Sequence, residues 1–231
     1  MNRKQLTYVL GAVVIVAAAV VVYFSYFSGG GGAVDLLAGA ETTKIELRPT
    51  DNIHGSPNAP VTIVEYASMT CPHCAAFQKE VVPQLTKDYI DTGKVKMVFR
   101  EFPLDPGATM ASALARCMKG DAYFAFIDLL FNNQDKWWYV LFKDPQHQVT
   151  KDEVADNLVE MAKIAGMGRD QALTCMNDKA NLDLVQANWE EGKDRYQVNS
   201  TPSIFINGDI HRGEVTFDAI KKEIDADLAK H

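Results

Sequence analysis

The sequence predicts an α/β protein: a small framework of strands and helices that carries a long all-helical insertion and follows an apolar N-terminal segment. Three observations carry this reading. Short β-branched runs lie before Cys71, after Gly93 and after Pro202. The apolar period changes from strand-like to three-and-four spacing immediately after Cys71. Strand signals then vanish between Thr109 and about Val198, where helical periodicity dominates.

The N-terminal segment differs in kind from the rest. Arg3 and Lys4 precede an uncharged apolar run from Leu6 to Phe27, 22 residues long. As a helix at ~1.5 Å per residue it would cover roughly 33 Å, about the hydrocarbon thickness of a bilayer. Positive residues ahead of the run place the N-terminus in the cytoplasm and the remainder outside. That length favours an uncleaved anchor over a secretory signal, whose apolar core is usually about 7–15 residues. The alternative is a signal cleaved after Ala38-Gly39-Ala40, which leaves a soluble exported protein. Gly29–Gly32 is a flexible tether, and one short strand is expected at Lys44–Arg48.

Val61–Ala67 reads as a buried strand, set off by Pro57 and Pro60. Cys74, Phe77, Val81, Leu85 and Tyr89 form the apolar face of the helix that follows, with Pro72 at its first position and Pro83 bending its middle. Gly93 ends it, and Lys94–Phe102 alternates as a second strand. Helices are expected at Met110–Met118, Ala122–Phe131, Lys151–Ala165, Arg169–Asn177 and Leu182–Tyr196. A hairpin of Ser203–Asn207 and Ile210–Gly213, turning at Gly208-Asp209, precedes a last helix, Phe217–Leu228. The expected organisation is therefore an anchor over 1–28, a linker over 29–45, a framework domain from 46–104 and 199–231, and an inserted helical domain over 105–198.

Composition narrows the function. A formal net charge of -7 gives a nucleic-acid partner no electrostatic support. The four cysteines divide into a close pair, Cys71 and Cys74, and two isolated ones, Cys117 and Cys175. In an oxidising compartment the isolated two are expected to pair and staple the helical stretch, the alternative being buried free thiols. Trp137, Trp138, Tyr139, Phe124, Phe126 and Phe131 read as core of that stretch.

Cys71-Pro72-His73-Cys74 carries the chemistry. Disulfide exchange needs a thiolate nucleophile, a second thiol within reach and a way of holding negative charge between turnovers. At a helix start Cys71 faces unpaired amide hydrogens and the positive end of the dipole. Cys74, one turn on, can close the ring or resolve a mixed disulfide. His73 supplies a donor or positive charge. Stabilising the thiolate stabilises the reduced protein, so the disulfide becomes the better oxidant. Half of a zinc site is the rival reading, but a second ligand pair is missing. A purely structural disulfide suits an exposed strand-to-helix junction poorly. Glu65, six residues before Cys71 on a buried strand, either exchanges protons with Cys74 or pairs with a lysine or arginine. Thr201-Pro202 stands just before a strand, where proline is often punctuation.

Four segments together resemble the DsbA family of bacterial thiol–disulfide oxidoreductases: Gly55–Tyr66, Cys71–Cys74, Leu129–Gln134 and Ser200–Gly208, in the family's order across about residues 46–230. The resemblance implies a thioredoxin fold with an inserted helical domain, a cis bond before Pro202, contact of Thr201 with the active-site sulfurs, and a buried-acid role for Glu65. It implies transfer of disulfides to unfolded exported polypeptides in the periplasm, with reoxidation by a quinone-linked membrane partner of the DsbB type and no cofactor or metal. One departure is Thr201, where the best-known oxidases carry valine; threonine also occurs in isomerase-type relatives. A reductase or isomerase is thus the second reading, and a metal-binding or chaperone protein on the same fold the third. No dimerisation segment is evident, so a monomer is expected.

Overall fold

The computed structural model describes residues 44–230. The expected anchor over 6–27, the glycine tether and the Ala38-Gly39-Ala40 site lie outside the described residues. Among the described residues no helix is long and apolar enough to cross a membrane.

The framework is a five-stranded sheet in the order β1-β3-β2-β4-β5. Its centre is β2 (Val61–Ala67), parallel to β3 (Val95–Glu101) and antiparallel to β4 (Ser203–Ile206). The edges are short: β1 (Ile53–His54) against β3, and β5 (Asp209–Ile210) against β4. Parallel β2 and β3 need a crossover, which α1 (Pro72–Glu80), α2 (Val82–Leu85) and a wide turn over Thr86–Ile90 supply. The helix breaks where Pro83 removes a backbone donor. Thioredoxin-type β–α–β and β–β–α halves thus flank an insertion of α3 (Pro106–Ala115), α4 (Asp121–Asn132), α5 (Gln134–Trp137), α6 (Lys151–Ile164), α7 (Arg169–Met176) and α8 (Lys179–Asp194). Helix α9 (Phe217–Leu228) closes the chain with the bounds expected from its periodicity.

Three apolar clusters hold these parts together. Val61 and Ile63 of β2 pack with Phe77, Leu85, Ile220 and Ile224 on one face of the sheet. Val64, Tyr66, Val98 and Phe205 pack with Tyr196 on the other. The third fills the helical insertion and runs on into Met69, Cys71 and Cys74, so the redox pair sits at the edge of that core.

Several expectations are corrected. Lys44–Arg48 is not a strand: Ile45 makes one backbone bond to Gly208, and the chain turns back where Asp51 N–H donates to the Arg48 carbonyl. The edge strand is instead Ile53–His54, too short to show alternation. The hairpin turns at Asn207-Gly208, both at positive φ, one residue earlier than expected. The first inserted helix starts at Pro106, not Met110, because Asp105 caps it through the Ala108 amide. It ends at Ala115, which leaves Cys117 just beyond it. The last inserted helix starts at Lys179, where Asp178 caps it.

Candidate functional site

Cys71 ends the loop after β2 and is the N-cap of α1, with φ -75° and ψ 124°. Pro72 follows at the first helical position, where no donor is lost and the residue before it is driven to extended geometry. The free amides of that first turn therefore point toward the sulfur. Both thiols are free and buried, Cys74 completely so.

The two thiols are pushed in opposite directions. Cys71 is held down at about 5, chiefly by hydrogen bonding from Cys74; burial opposes this, and the Thr201 side chain and the Cys74 and His73 amides assist. The contribution of His73 is thus through its backbone; its side chain is exposed. Cys74 is pushed far up by burial, by its bond to Cys71 and by the charges of Glu65 and Cys71. A ready thiolate beside a thiol that keeps its proton is an asymmetric pair, one nucleophile and leaving group with one resolving partner.

Thr201-Pro202 is a cis peptide bond, and the Thr201 carbonyl accepts from Cys71 Sγ at 3.4 Å. Among the described residues the buried Thr201 hydroxyl has no hydrogen-bond partner, and the Thr201 side chain helps to hold the Cys71 thiol down. Beside the pair lies a groove of about 300 Å³, lined by His73, Phe77, Thr201, Pro202 and Val215 among others.

Glu65 is fully buried on β2. Strand alternation puts it on the face of Val61 and Ile63, beneath α1. Its partner is neither lysine nor arginine, which corrects the ion-pair expectation: Gln78 Nε2 donates to Oε2 at 2.7 Å, and among the described residues Oε1 has no partner. Burial pushes its carboxyl up to about 8, the Gln78 bond acting against this and the Cys71 charge with it. Sequence reading passed over Gln78, although it stands four residues after Cys74 on the same helix face.

Gln134 ends one of the segments that carry the family resemblance, but its role and that of Tyr139 are not legible in the sequence. Gln134 Nε2 donates to the Met69 carbonyl at 2.8 Å and to the Cys71 carbonyl at 3.1 Å. Tyr139, expected in the core, is 40% exposed, and its hydroxyl donates to the Thr70 carbonyl at 3.0 Å. Thr70 Oγ1 donates to Asp105. Trp137 and Phe126 are core, as expected. Cys117 and Cys175 are joined as a disulfide between the end of α3 and α7, remote in sequence from the redox pair. Among the described residues no three His, Cys, Asp or Glu side chains are grouped to hold a metal ion.

Residues 47–226 match the family described as Thioredoxin. A Rickettsia prowazekii relative, named provisionally as a protein-disulfide oxidoreductase, is 32% identical over 200 residues, covering 81% of this chain and 68% of the relative. The Rickettsia felis counterpart is covered over 63% of its length, so this chain spans about two thirds of these relatives. Disulfide bond formation protein D of Bacillus subtilis is 27% identical over 183 residues, 75% of either chain. The crystal structure of Wolbachia pipientis alpha-DsbA1 superposes with a TM-score of 0.71 at 30% identity, over 80% of this chain and 94% of that one. Fold, redox pair and relatives agree, and the chain belongs to the DsbA-type thiol–disulfide oxidoreductases of the thioredoxin family.

Proposed function

We propose that this oxidoreductase works as a dithiol oxidase, introducing disulfide bonds into unfolded exported polypeptides. The observation that carries the reading is the divergence of the two thiols, with Cys71 held at about 5 while Cys74 is pushed up. A stabilised thiolate favours the reduced protein and makes its disulfide a strong oxidant.

In the proposed reaction a substrate thiolate attacks Cys71 Sγ of the Cys71–Cys74 disulfide. The sulfur–sulfur bond breaks and Cys74 leaves, taking a proton from Glu65. With its carboxyl pushed up to about 8, Glu65 carries that proton at neutral pH and regains it from solvent. The second substrate thiolate then attacks the substrate sulfur of the mixed disulfide and expels Cys71 as a thiolate. The substrate loses two electrons and gains a disulfide; the enzyme is left with one thiolate and one thiol. The groove beside Pro202 suits an extended peptide, with the Thr201 backbone as its strand partner. Reoxidation by a DsbB-type quinone-linked membrane protein would complete the cycle. A periplasmic location fits a protein with a disulfide in its insertion and an apolar run at 6–27 as tether, and we take it to be a monomer.

The second reading is a reductase or isomerase, because Thr201 stands before the cis-proline where isomerase-type members of the family also carry threonine. The reduction potential of the Cys71–Cys74 pair, measured in graded glutathione buffers, separates the two. A value near ~−120 mV supports the oxidase; a value near ~−270 mV overturns it in favour of a reductase. Cys71→Ser is expected to abolish oxidation of a reduced peptide, and undiminished turnover would remove Cys71 from the reaction.

A further inference from the structure

We propose that Gln134 and Tyr139, two side chains of the helical insertion, are positioning residues of the redox centre: they pin the two peptide planes on either side of Cys71 and hold its sulfur against the amides of α1. The proposal rests on Cys71 being the reactive thiolate.

The geometry is specific. The Thr70 carbonyl belongs to the peptide plane preceding Cys71, and it accepts from Tyr139. The Cys71 carbonyl belongs to the plane that follows, and it accepts from Gln134. The second Gln134 amide hydrogen goes to the Met69 carbonyl, so both of its donors are spent on this loop. Three consecutive carbonyls, 69 to 71, are thereby held from α5 and the turn after it. Fixing the planes on both sides of a residue fixes its φ and ψ, hence the direction of its Cα–Cβ bond and the few χ1 rotamers open to its sulfur. That geometry decides whether the sulfur meets the His73 and Cys74 amides and the Thr201 side chain, on which its thiolate depends. Gln134 is buried, so these bonds act at low dielectric; losing them would take the partner from the Met69 carbonyl, while the Cys71 carbonyl would keep the Ala75 amide of α1. Asp105, through Thr70 Oγ1, ties the same loop to the start of α3. The titratable groups around Cys71 are Cys74 and His73 on α1, Glu65 on β2, Asp105 before α3 and Tyr139 itself; none is removed by changing Gln134.

The insertion thus does more than cover the site. It is a clamp whose register with the loop sets how much Cys71 is thiolate.

The test is the pH titration of Cys71 in the reduced full-length chain, followed by thiolate absorbance and by alkylation rate, together with the reduction potential. Gln134→Met keeps volume and removes both donors. It is expected to weaken the thiolate equilibrium about tenfold, raising the Cys71 pKa by about one unit and lowering the potential by about 30 mV. Tyr139→Phe is expected to act in the same direction by less. Leu158→Ala, which opens the insertion core elsewhere, is expected to lower thermal stability and leave the titration in place. If Gln134→Met and Tyr139→Phe leave the titration and potential unchanged, the clamp is overturned and the thiolate reading stands. If wild-type Cys71 itself titrates near ~8.5, the thiolate reading falls and the clamp with it. Should Gln134→Met fail to fold, Tyr139→Phe at the exposed rim decides alone, a raised pKa supporting the clamp and an unmoved one overturning it.

Discussion

Cys71 and Cys74 share one helical turn and yet meet opposite surroundings. Cys71 faces α1's free amides and Thr201; Cys74 is sealed beneath it near a carboxyl. This asymmetry has a pH signature. The folded-state pKa of Cys71, about 5, lies below the ordinary thiol value, so its contribution to stability is present above the unfolded pKa. It is lost as pH falls through about 5. The oxidised protein has no such titration. The reduced form is therefore expected to gain on the oxidised form in thermal midpoint as pH rises from about 5 to ~8.5. Scans of both forms across that range check it, and a flat difference would mean that the fold does not favour the thiolate. Glu65 works in the other sense, since a carboxyl raised to about 8 favours the folded state most at low pH. Burial, the main cause, acts in both redox forms, whereas the part owed to the Cys71 charge belongs to the reduced form alone.

At the scale of elements, the approach of α8 to the sheet depends on one glycine. A Cβ at Gly192 would stand 2.8 Å from Cε1 of the fully buried Tyr66 and 3.2 Å from Cδ2 of Phe102. Tyr66 cannot swing aside freely because its hydroxyl accepts from Arg100, itself held by Asp51. Alanine is the better helix former by about 1 kcal/mol, but overpacking a buried ring costs about 1–3 kcal/mol. Gly192→Ala is accordingly expected to lower stability by up to about 2 kcal/mol in urea unfolding; a gain would show that α8 has room to retreat. The crossover helix shows the converse, a break written in the chain: Pro83 ends the regular turn, and the wider turn at Thr86–Ile90 returns Tyr89 and Ile90 to the core.

Across the whole molecule, framework and insertion are joined by polar groups as well as by apolar packing. Glu101, the last residue of β3, is fully buried and receives Arg116, Tyr123 and Asn188 from three parts of the insertion. Removing Arg116 leaves the buried Glu101 carboxylate with the neutral donors Tyr123 and Asn188 and without its cation. Arg116→Met is expected to cost about 3–5 kcal/mol, and Arg116→Met combined with Glu101→Gln to recover part of it, in denaturant unfolding. Equal losses in the single and double variants would mean that Arg116 acts by packing alone. The Cys117–Cys175 disulfide closes a span of 58 residues within the same insertion. Its reduction is expected to cost roughly 4 kcal/mol in the chain-entropy view, less any structure kept by the unfolded chain. The same insertion reaches the redox loop through Gln134 and Tyr139. One body of helices thus both carries this disulfide and supports the redox loop.

What the sequence determined by itself is what depends on neighbours along the chain. The Cys71-Pro72 helix start, the buried β2, the break at Pro83 and the bounds of α9 follow from local period, proline geometry and capping. Glu65 was visible as an acid in a strand otherwise apolar. Its partner was not, because a strand carboxylate can meet any helix packed over that face, and only the placement of α1 selects Gln78. The two-residue edge strand β1 is decided by β3 beside it and has no period of its own. Gln134 lies 63 residues from the Cys71 carbonyl that it holds, and Thr201 lies 130 from the Cys71 sulfur. Contacts at such separations arise from the packing of whole elements, which local propensity does not encode; that packing, more than the cysteine motif, decides how the motif is held.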